Sequence, residues 1–289
     1  MISKQLIRDT VVKLFRQAVT SLPRDVECAL EKAYKWEKSK ISRIQLNAIL
    51  ENVKLAGKCS IPMCQDTGIP LVYVKIGEKT GVKFLDLRKS IAEGIKLATK
   101  EIPLRPNIVH PLSRKNTGDN TGISRNINIE ILPEKDYIDI TVFPKGAGSE
   151  NMSFLKMLNP SDGIDGIKKF VLESVVKAAG NPCPPTIVGI GIGGSSDIAM
   201  KLAKTALLRP LKEKNKDNKI ASLEKELLEK INSLGIGPMG LGGRTTALKV
   251  NIEYEYCHTA SLPVAINMGC WANRYSTARI YKNRVIFPK

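Results

Sequence analysis

The chain has 289 residues, 43% of them hydrophobic and 25% charged, enough to bury a core in one large domain or two modest ones. A surplus of 45 Lys and Arg over 28 Asp and Glu, net +17, would suit a nucleic acid, but the cations are dispersed, aromatics are 5% and no nucleic-acid motif accompanies them. Six cysteines without a secretory signal are too sparse for a disulfide framework, and no run reaches the roughly 18 apolar residues of a membrane span, so a reduced, cytoplasmic protein is expected. The positive surplus also fits a lysine-rich surface of the heat-adapted kind, or attraction of small dianionic substrates or of an acidic partner subunit.

Residues 2–56 read as helices. An apolar stripe covers 2–22, Pro23 opens the next segment, and 25–38 continues in the same manner, with Cys28 as a small core residue. Ser42 and Gln45 form an S-x-x-Q capping box ahead of a third amphipathic run that stops at Gly57. A loop then runs from Cys59 to Gly68 and carries Met63-Cys64-Gln65-Asp66-Thr67-Gly68. Cys64 is a soft metal ligand; Gln65 and Asp66 can hydrogen-bond a polar substrate or move a proton. The C-x4-C spacing of Cys59 and Cys64 lacks the C-x2-C of a ferredoxin.

Residues 69–76 read as a strand and 85–100 as a helix. Arg105, held between Leu104 and Pro106 on a stiff segment, suits bidentate capture of a carboxylate, and His110 follows. The run 116–122 is turn-rich and also fits a plain polar hairpin loop. Residues 127–132 and 137–143 alternate around Pro133-Glu134-Lys135-Asp136 as an antiparallel hairpin. The second strand leads into Pro144-Lys145-Gly146-Ala147-Gly148-Ser149-Glu150-Asn151, either an anion-binding nest or a simple flexible turn.

A helix at 163–179, ended by Gly180, precedes Asn181-Pro182-Cys183-Pro184-Pro185. The strand 186–190 runs into Gly189-Ile190-Gly191-Ile192-Gly193-Gly194, a G-x-G-x-x-G ahead of a helix near Ser195. The acidic ribose partner and second strand of a dinucleotide fold are missing near residues 209–214, so a nicotinamide-dependent dehydrogenase is a lesser alternative, as is a basic nucleic-acid-binding protein. Residues 211–230 read as a solvated helix or linker without a site. Glycine-dense 234–245 precedes a strand at 246–256, then Cys257-His258-Thr259-Ala260-Ser261-Leu262-Pro263, where His258 is either a structural hydrogen-bonder or a catalyst. A strand at 264–268 delivers Cys270, Asn273 and Arg274, and a strand-containing tail runs to Lys289.

Taken together, these motifs resemble the alpha subunit of the class I, iron–sulfur fumarate hydratase and L(+)-tartrate dehydratase family. The likeness is carried by the run from Met63 to Gly68, Lys145-Gly146-Ala147-Gly148-Ser149, Gly191-Ile192-Gly193-Gly194, Gly240-Leu241-Gly242-Gly243-Arg244, and the stretch from His258 to Cys270. It implies a single alpha-type catalytic domain over residues 1–289, with a helical part at about 1–57 and a mixed α/β (α+β) fold. In that fold N-terminal helices precede a largely antiparallel sheet packed by helices. It implies that Cys64, Cys183 and Cys270 ligate a [4Fe–4S] cluster with one open iron. Gln65, Asp66, Arg105, the turn from Gly146 to Gly148, and His258 would face a dicarboxylate, with Asp66 and His258 handling a proton. Cys59 and Cys257 match no ligand position.

Single-chain members of the family carry a C-terminal domain that supplies further arginines, a lysine and a threonine, and nothing in residues 1–289 resembles it. A separate beta subunit, in an α2β2 assembly, is therefore expected. The expected reaction is reversible hydration of fumarate to (S)-malate, a tricarboxylic acid cycle step, with dehydration of L(+)-tartrate to oxaloacetate as the alternative.

Overall fold

A computed structural model of the chain describes residues 2–122 and 126–288; Met1 and Lys289, the ends of the expected domain and tail, lie outside the described residues. In chain order the elements are α1 (Lys4–Thr20), α2 (Arg24–Trp36), α3 (Lys40–Cys59), β1 (Ile69–Gly77), α4 (Phe84–Glu101), β2 (Ile127–Leu132), β3 (Ile138–Lys145), the single turn α5 (Ala147–Glu150), β4 (Phe154–Leu158), α6 (Gly163–Ala178), β5 (Thr186–Ile192), α7 (Ser196–Ala206), α8 (Asn218–Ser233), β6 (Ala247–Tyr254), β7 (Leu262–Gly269), β8 (Ser276–Ile280) and β9 (Val285–Ile286). This is the expected mixed α/β fold. Two compact units share the chain: Met1–Pro23, Asn52–Gly146 and Arg274–Lys289 form the first, and Arg24–Glu51 and Ala147–Asn273 the second.

The first unit is a five-stranded sheet, β2-β1-β3-β8-β9, packed by α1 and α4. Ser3 starts α1 by accepting the Leu6 N–H at 3.1 Å, and the stripe Ile7, Val11, Leu14 and Phe15 is buried. Those side chains meet Leu87, Ile91 and Ile95 of α4 and Val72, Val74, Ile138 and Ile140 of the sheet. The expected hairpin is not present. β2 pairs parallel to β1, β3 pairs antiparallel to β1, and β1 therefore lies between them. The turn after β2 crosses the end of β1, where Lys79 N–H donates to Lys135 C=O at 2.8 Å and Gly77 N–H to Tyr137 C=O at 2.9 Å.

The second unit is a four-stranded sheet, β4-β7-β5-β6, in which β5 and β6 are the parallel pair. β5 shows why alternation matters. Val188 and Ile190 enter the core with Phe170 and Val171 of α6 and Leu227 and Ile231 of α8. Gly189 and Gly191 alternate with them under α7: a Cβ at Gly191 would lie 1.9 Å from Ala199 O, and one at Gly189 2.2 Å from Ala203 O. The charge-rich 211–230 segment is a short loop followed by a core helix, since α8 buries Leu223, Leu227 and Ile231, and its buried Glu224 pairs with Arg209.

Two helix ends also depart from expectation. α3 begins at Lys40 and runs past Gly57 to Cys59, so Ser42 is no cap; it is buried and donates to Gly242 C=O at 2.5 Å. Beside it, Glu37 accepts the Arg244 N–H at 2.7 Å. In α6 the residue with positive φ is Ala179 (φ 45°), not Gly180, whose lack of a side chain instead admits the Gly240 backbone.

Candidate active site

In the first unit the 63–68 loop is built against the end of β3. Gly68 has φ 84°, and a Cβ there would sit 2.7 Å from the Pro144 carbonyl carbon, so only glycine lets the loop close. Asp66 is half-buried and aimed from both sides. Its Oδ1 accepts from Gly68 N–H at 2.9 Å and Asn107 Nδ2 at 3.1 Å, and its C=O accepts from Arg274 Nη2 at 2.5 Å. Oδ2 faces Gly146, where a Cβ would come within 3.3 Å. Thr67 Oγ1 receives the Arg105 N–H at 3.0 Å, which fixes the start of the arginine segment beside the loop. The buried Asn120 braces that segment, accepting from Asn107 N–H at 2.8 Å and donating to Arg105 C=O at 3.1 Å.

The result is an open pocket of about 530 Å³ lined by Pro62, Cys64, Gln65, Thr67, Pro103 and Arg105. Three sequence-selected residues, a thiol, an amide and an exposed guanidinium, thus line one cavity, with Asp66 in the loop that forms its wall. Lys145 ends β3 with only 2% of its surface exposed.

The second unit holds the remaining candidates. Cys183 has φ 55° and a half-buried thiol; its carbonyl accepts the Trp271 N–H at 3.1 Å, which seats Cys270's segment against the Cys183 loop. Pro184 C=O accepts the Met239 N–H at 2.8 Å, so the 237–243 glycine run buttresses the same loop. The 147–150 segment is a helical turn without left-handed glycines, and Gly148 lets it approach Asn181. Gly193 and Gly194 send their N–H groups to Pro263 and Tyr256 carbonyls at 2.9 and 3.2 Å. These two donors anchor the 255–263 turn and are therefore not turned toward a pyrophosphate.

His258 lies exposed on that turn. Its Nδ1 accepts the Ala260 N–H at 3.1 Å, so the neutral ring carries its proton on Nε2. Cys257 and Cys59 are exposed, and Cys257 donates to Ser261 C=O at 3.3 Å. Cys28 is half-buried in α2. No disulfide joins any of the six cysteines.

Asn107, Asn120 and Arg274 were not singled out as site residues from sequence. Asn107 lay two residues from Arg105, and an Asn in a proline-flanked loop is a turn signal before it is an aiming group.

The fumarate hydratase (Fumerase) family profile matches residues 8–279. A Methanocaldococcus jannaschii chain, provisionally named L(+)-tartrate dehydratase subunit alpha, is 59% identical over 95% of this chain and 97% of its own length. L(+)-tartrate dehydratase subunit alpha from Escherichia coli UTI89 is 36% identical, and that from strain K12 35%, each over 91% of this chain and 86% of its own length. The chain belongs to the fumarate hydratase family of hydro-lyases.

The thiols present suit an iron–sulfur group in their chemistry. Cys183 and Cys270 are soft donors on segments tied by one backbone bond, and Cys64 lines an open pocket. Among the described residues, no three His, Cys, Asp or Glu side chains are already grouped to hold a metal ion. No helix among the described residues is long and apolar enough to cross a membrane.

Proposed function

We propose that the chain is the alpha subunit of an L(+)-tartrate dehydratase, forming oxaloacetate by loss of water, and that it acts with a separate beta subunit in an α2β2 assembly. The observation that carries the reading is the pocket in which Cys64, Gln65 and Arg105 share a wall formed by the Asp66 loop. The names of the relatives favour tartrate over the fumarate expected from sequence, because three of them are tartrate dehydratase alpha subunits by name, one provisionally. Fumarate hydration is the second reading, supported by the family description.

In this reading Cys64, Cys183 and Cys270 are the three ligands of a [4Fe–4S] group, which when bound supplies an open Lewis-acidic iron for the substrate hydroxyl and carboxylate. Arg105 takes a substrate carboxylate in its planar fork, and Gln65 hydrogen-bonds beside it. The turn from Gly146 to Gly148 admits the substrate close to backbone. Asp66 holds or releases a proton at Oδ2, and His258 presents Nε2–H as a donor on the hydroxyl side. Positioning of this kind is worth several kcal/mol of barrier.

The test is anaerobic reconstitution with iron and sulfide. About four of each per chain are expected, lost on Cys64→Ser, Cys183→Ser or Cys270→Ser and kept in Cys28→Ser. Turnover of tartrate and fumarate is then compared with the beta subunit present. A folded, reduced chain that takes up no iron would sink the proposal, and fumarate turnover exceeding tartrate turnover would reverse the choice of substrate.

A further inference from the structure

Arg274 follows Cys270 by four residues and is 97% buried, with 3% of its surface exposed. Its Nη2 donates to the Asp66 carbonyl at 2.5 Å, while Nε and Nη1 have no hydrogen-bond partner among the described residues. A guanidinium keeps its charge at any working pH, so this is a buried cation with one acceptor for its five N–H donors. Such a group is costly to bury, and an apolar side chain of similar volume would serve the core better. Its one bond falls on the Asp66–Thr67 peptide, next to the Cα that carries the Asp66 carboxyl. Asn107 and Gly68 N–H hold that carboxyl from the other side. Fixing both the carbonyl and the carboxylate of one residue narrows the aim of Oδ2 and anchors the downstream end of the run that carries Cys64 and Gln65.

We infer that Arg274 is the positioning residue of the 64–66 loop: it touches no substrate and acts by holding the Asp66 peptide. Its part in turnover rests on the hydro-lyase reading, but its hold on the loop does not. The primary test uses the reduced, cluster-free full chain and iodoacetamide, with Cys64 alkylation followed by peptide mass spectrometry and the exposed Cys59 as internal reference. Arg274→Met is expected to raise the Cys64-to-Cys59 rate ratio about fivefold, by freeing local opening of the loop, while the far-ultraviolet spectrum stays unchanged.

Arg274→Lys keeps the charge and one reach of donor and is expected to give about half that rise; it carries the test if the Met variant does not fold. In the reconstituted complex with the beta subunit, Arg274→Met lowers kcat about tenfold with KM nearly constant, and Arg274→Lys recovers part of the loss. A folded variant whose Cys64 alkylates at the wild-type ratio overturns the inference. If no form of the chain turns over tartrate or fumarate, the hydro-lyase reading falls, and the alkylation ratio still decides the role of Arg274.

Discussion

Two polar loops carry candidate proton-handling residues, and they are built on opposite plans. The 63–68 loop is tied down along residues 66–68: Asp66 by Gly68 N–H, Asn107 and Arg274, Thr67 by the Arg105 backbone, and Gly68 by the close approach of Pro144. The 255–261 turn is fastened only at its ends, and His258 makes its bonds within the turn itself. Asp66 is thus aimed by the fold, whereas His258 is free to adjust and its ring is open to an approaching ligand or subunit. A pinned carboxylate can be tuned only through its neighbours; an exposed imidazole can be replaced without disturbing the core.

The contrast can be broken most directly by activity. Asp66→Ala in the reconstituted complex should cut kcat by about 10²–10⁴-fold, the usual range for a proton-transfer group, with iron content retained. His258→Asn should cost about 10²-fold, and its melting temperature should match the wild type because an exposed turn residue changes stability by less than about 0.5 kcal/mol. A marked fall in melting temperature for His258→Asn would show the turn to be structural and erase the distinction.

Stability sharpens it next. Gly68→Ala places a Cβ against Pro144 in a left-handed residue and should cost about 2 kcal/mol or more by denaturant titration, whereas Ala260→Gly should be nearly silent. Asn107→Ala removes a donor to Asp66 and should cost about 1 kcal/mol, with a larger loss in kcat than in stability if its task is aiming.

A third loop gives the smallest effect, and one that depends on pH. At Glu37 burial opposes ionisation, yet the backbone N–H groups of Ser39, Arg244 and Lys38 outweigh it and hold the carboxyl below its ordinary value. The folded form therefore binds its proton less readily than the unfolded chain. The stabilisation is complete above the unfolded glutamate value of about 4.3 and fades as pH falls through the lower folded value. Glu37→Gln should flatten that acid limb of the stability curve; an unchanged limb would remove Glu37 from the account.

Much of this was open to reading from residues alone, for a physical reason. Apolar spacing in α1, α2 and α4, the apolar run of β1, the alternation of β3 and the β-rich run of β5 are local signals, and the Cys64, Gln65 and Arg105 pocket joins two breaker-rich segments that already point to chemistry. Pairing is not local. Alternation in β2 marks a strand but cannot say that its neighbour is β1 in parallel and not β3 across a turn. Ser42 has the spacing of a cap and is used as a tether to Gly242, and Ala179 takes the left-handed position that Gly180 seemed to offer. Arg274 and Asn107 belong to no motif; their roles exist only once distant loops meet, by one hydrogen bond each to Asp66 that spacing cannot reveal.

The first unit is interrupted in sequence by most of the second, and this has a consequence for the order of assembly on the ribosome. β3 is made by residue 145, but its partner β8 is not made until residues 276–280. Through that interval β3 is an open edge with Val142 and Ile140 awaiting their β8 partners, and Asp66 waits for the same stretch, residues 274–280, to deliver Arg274. Vectorial synthesis can therefore complete the sheet of the second unit first, and the segment that follows it, Arg274 with β8, both closes β3 and sets the aim of the Asp66 carboxylate.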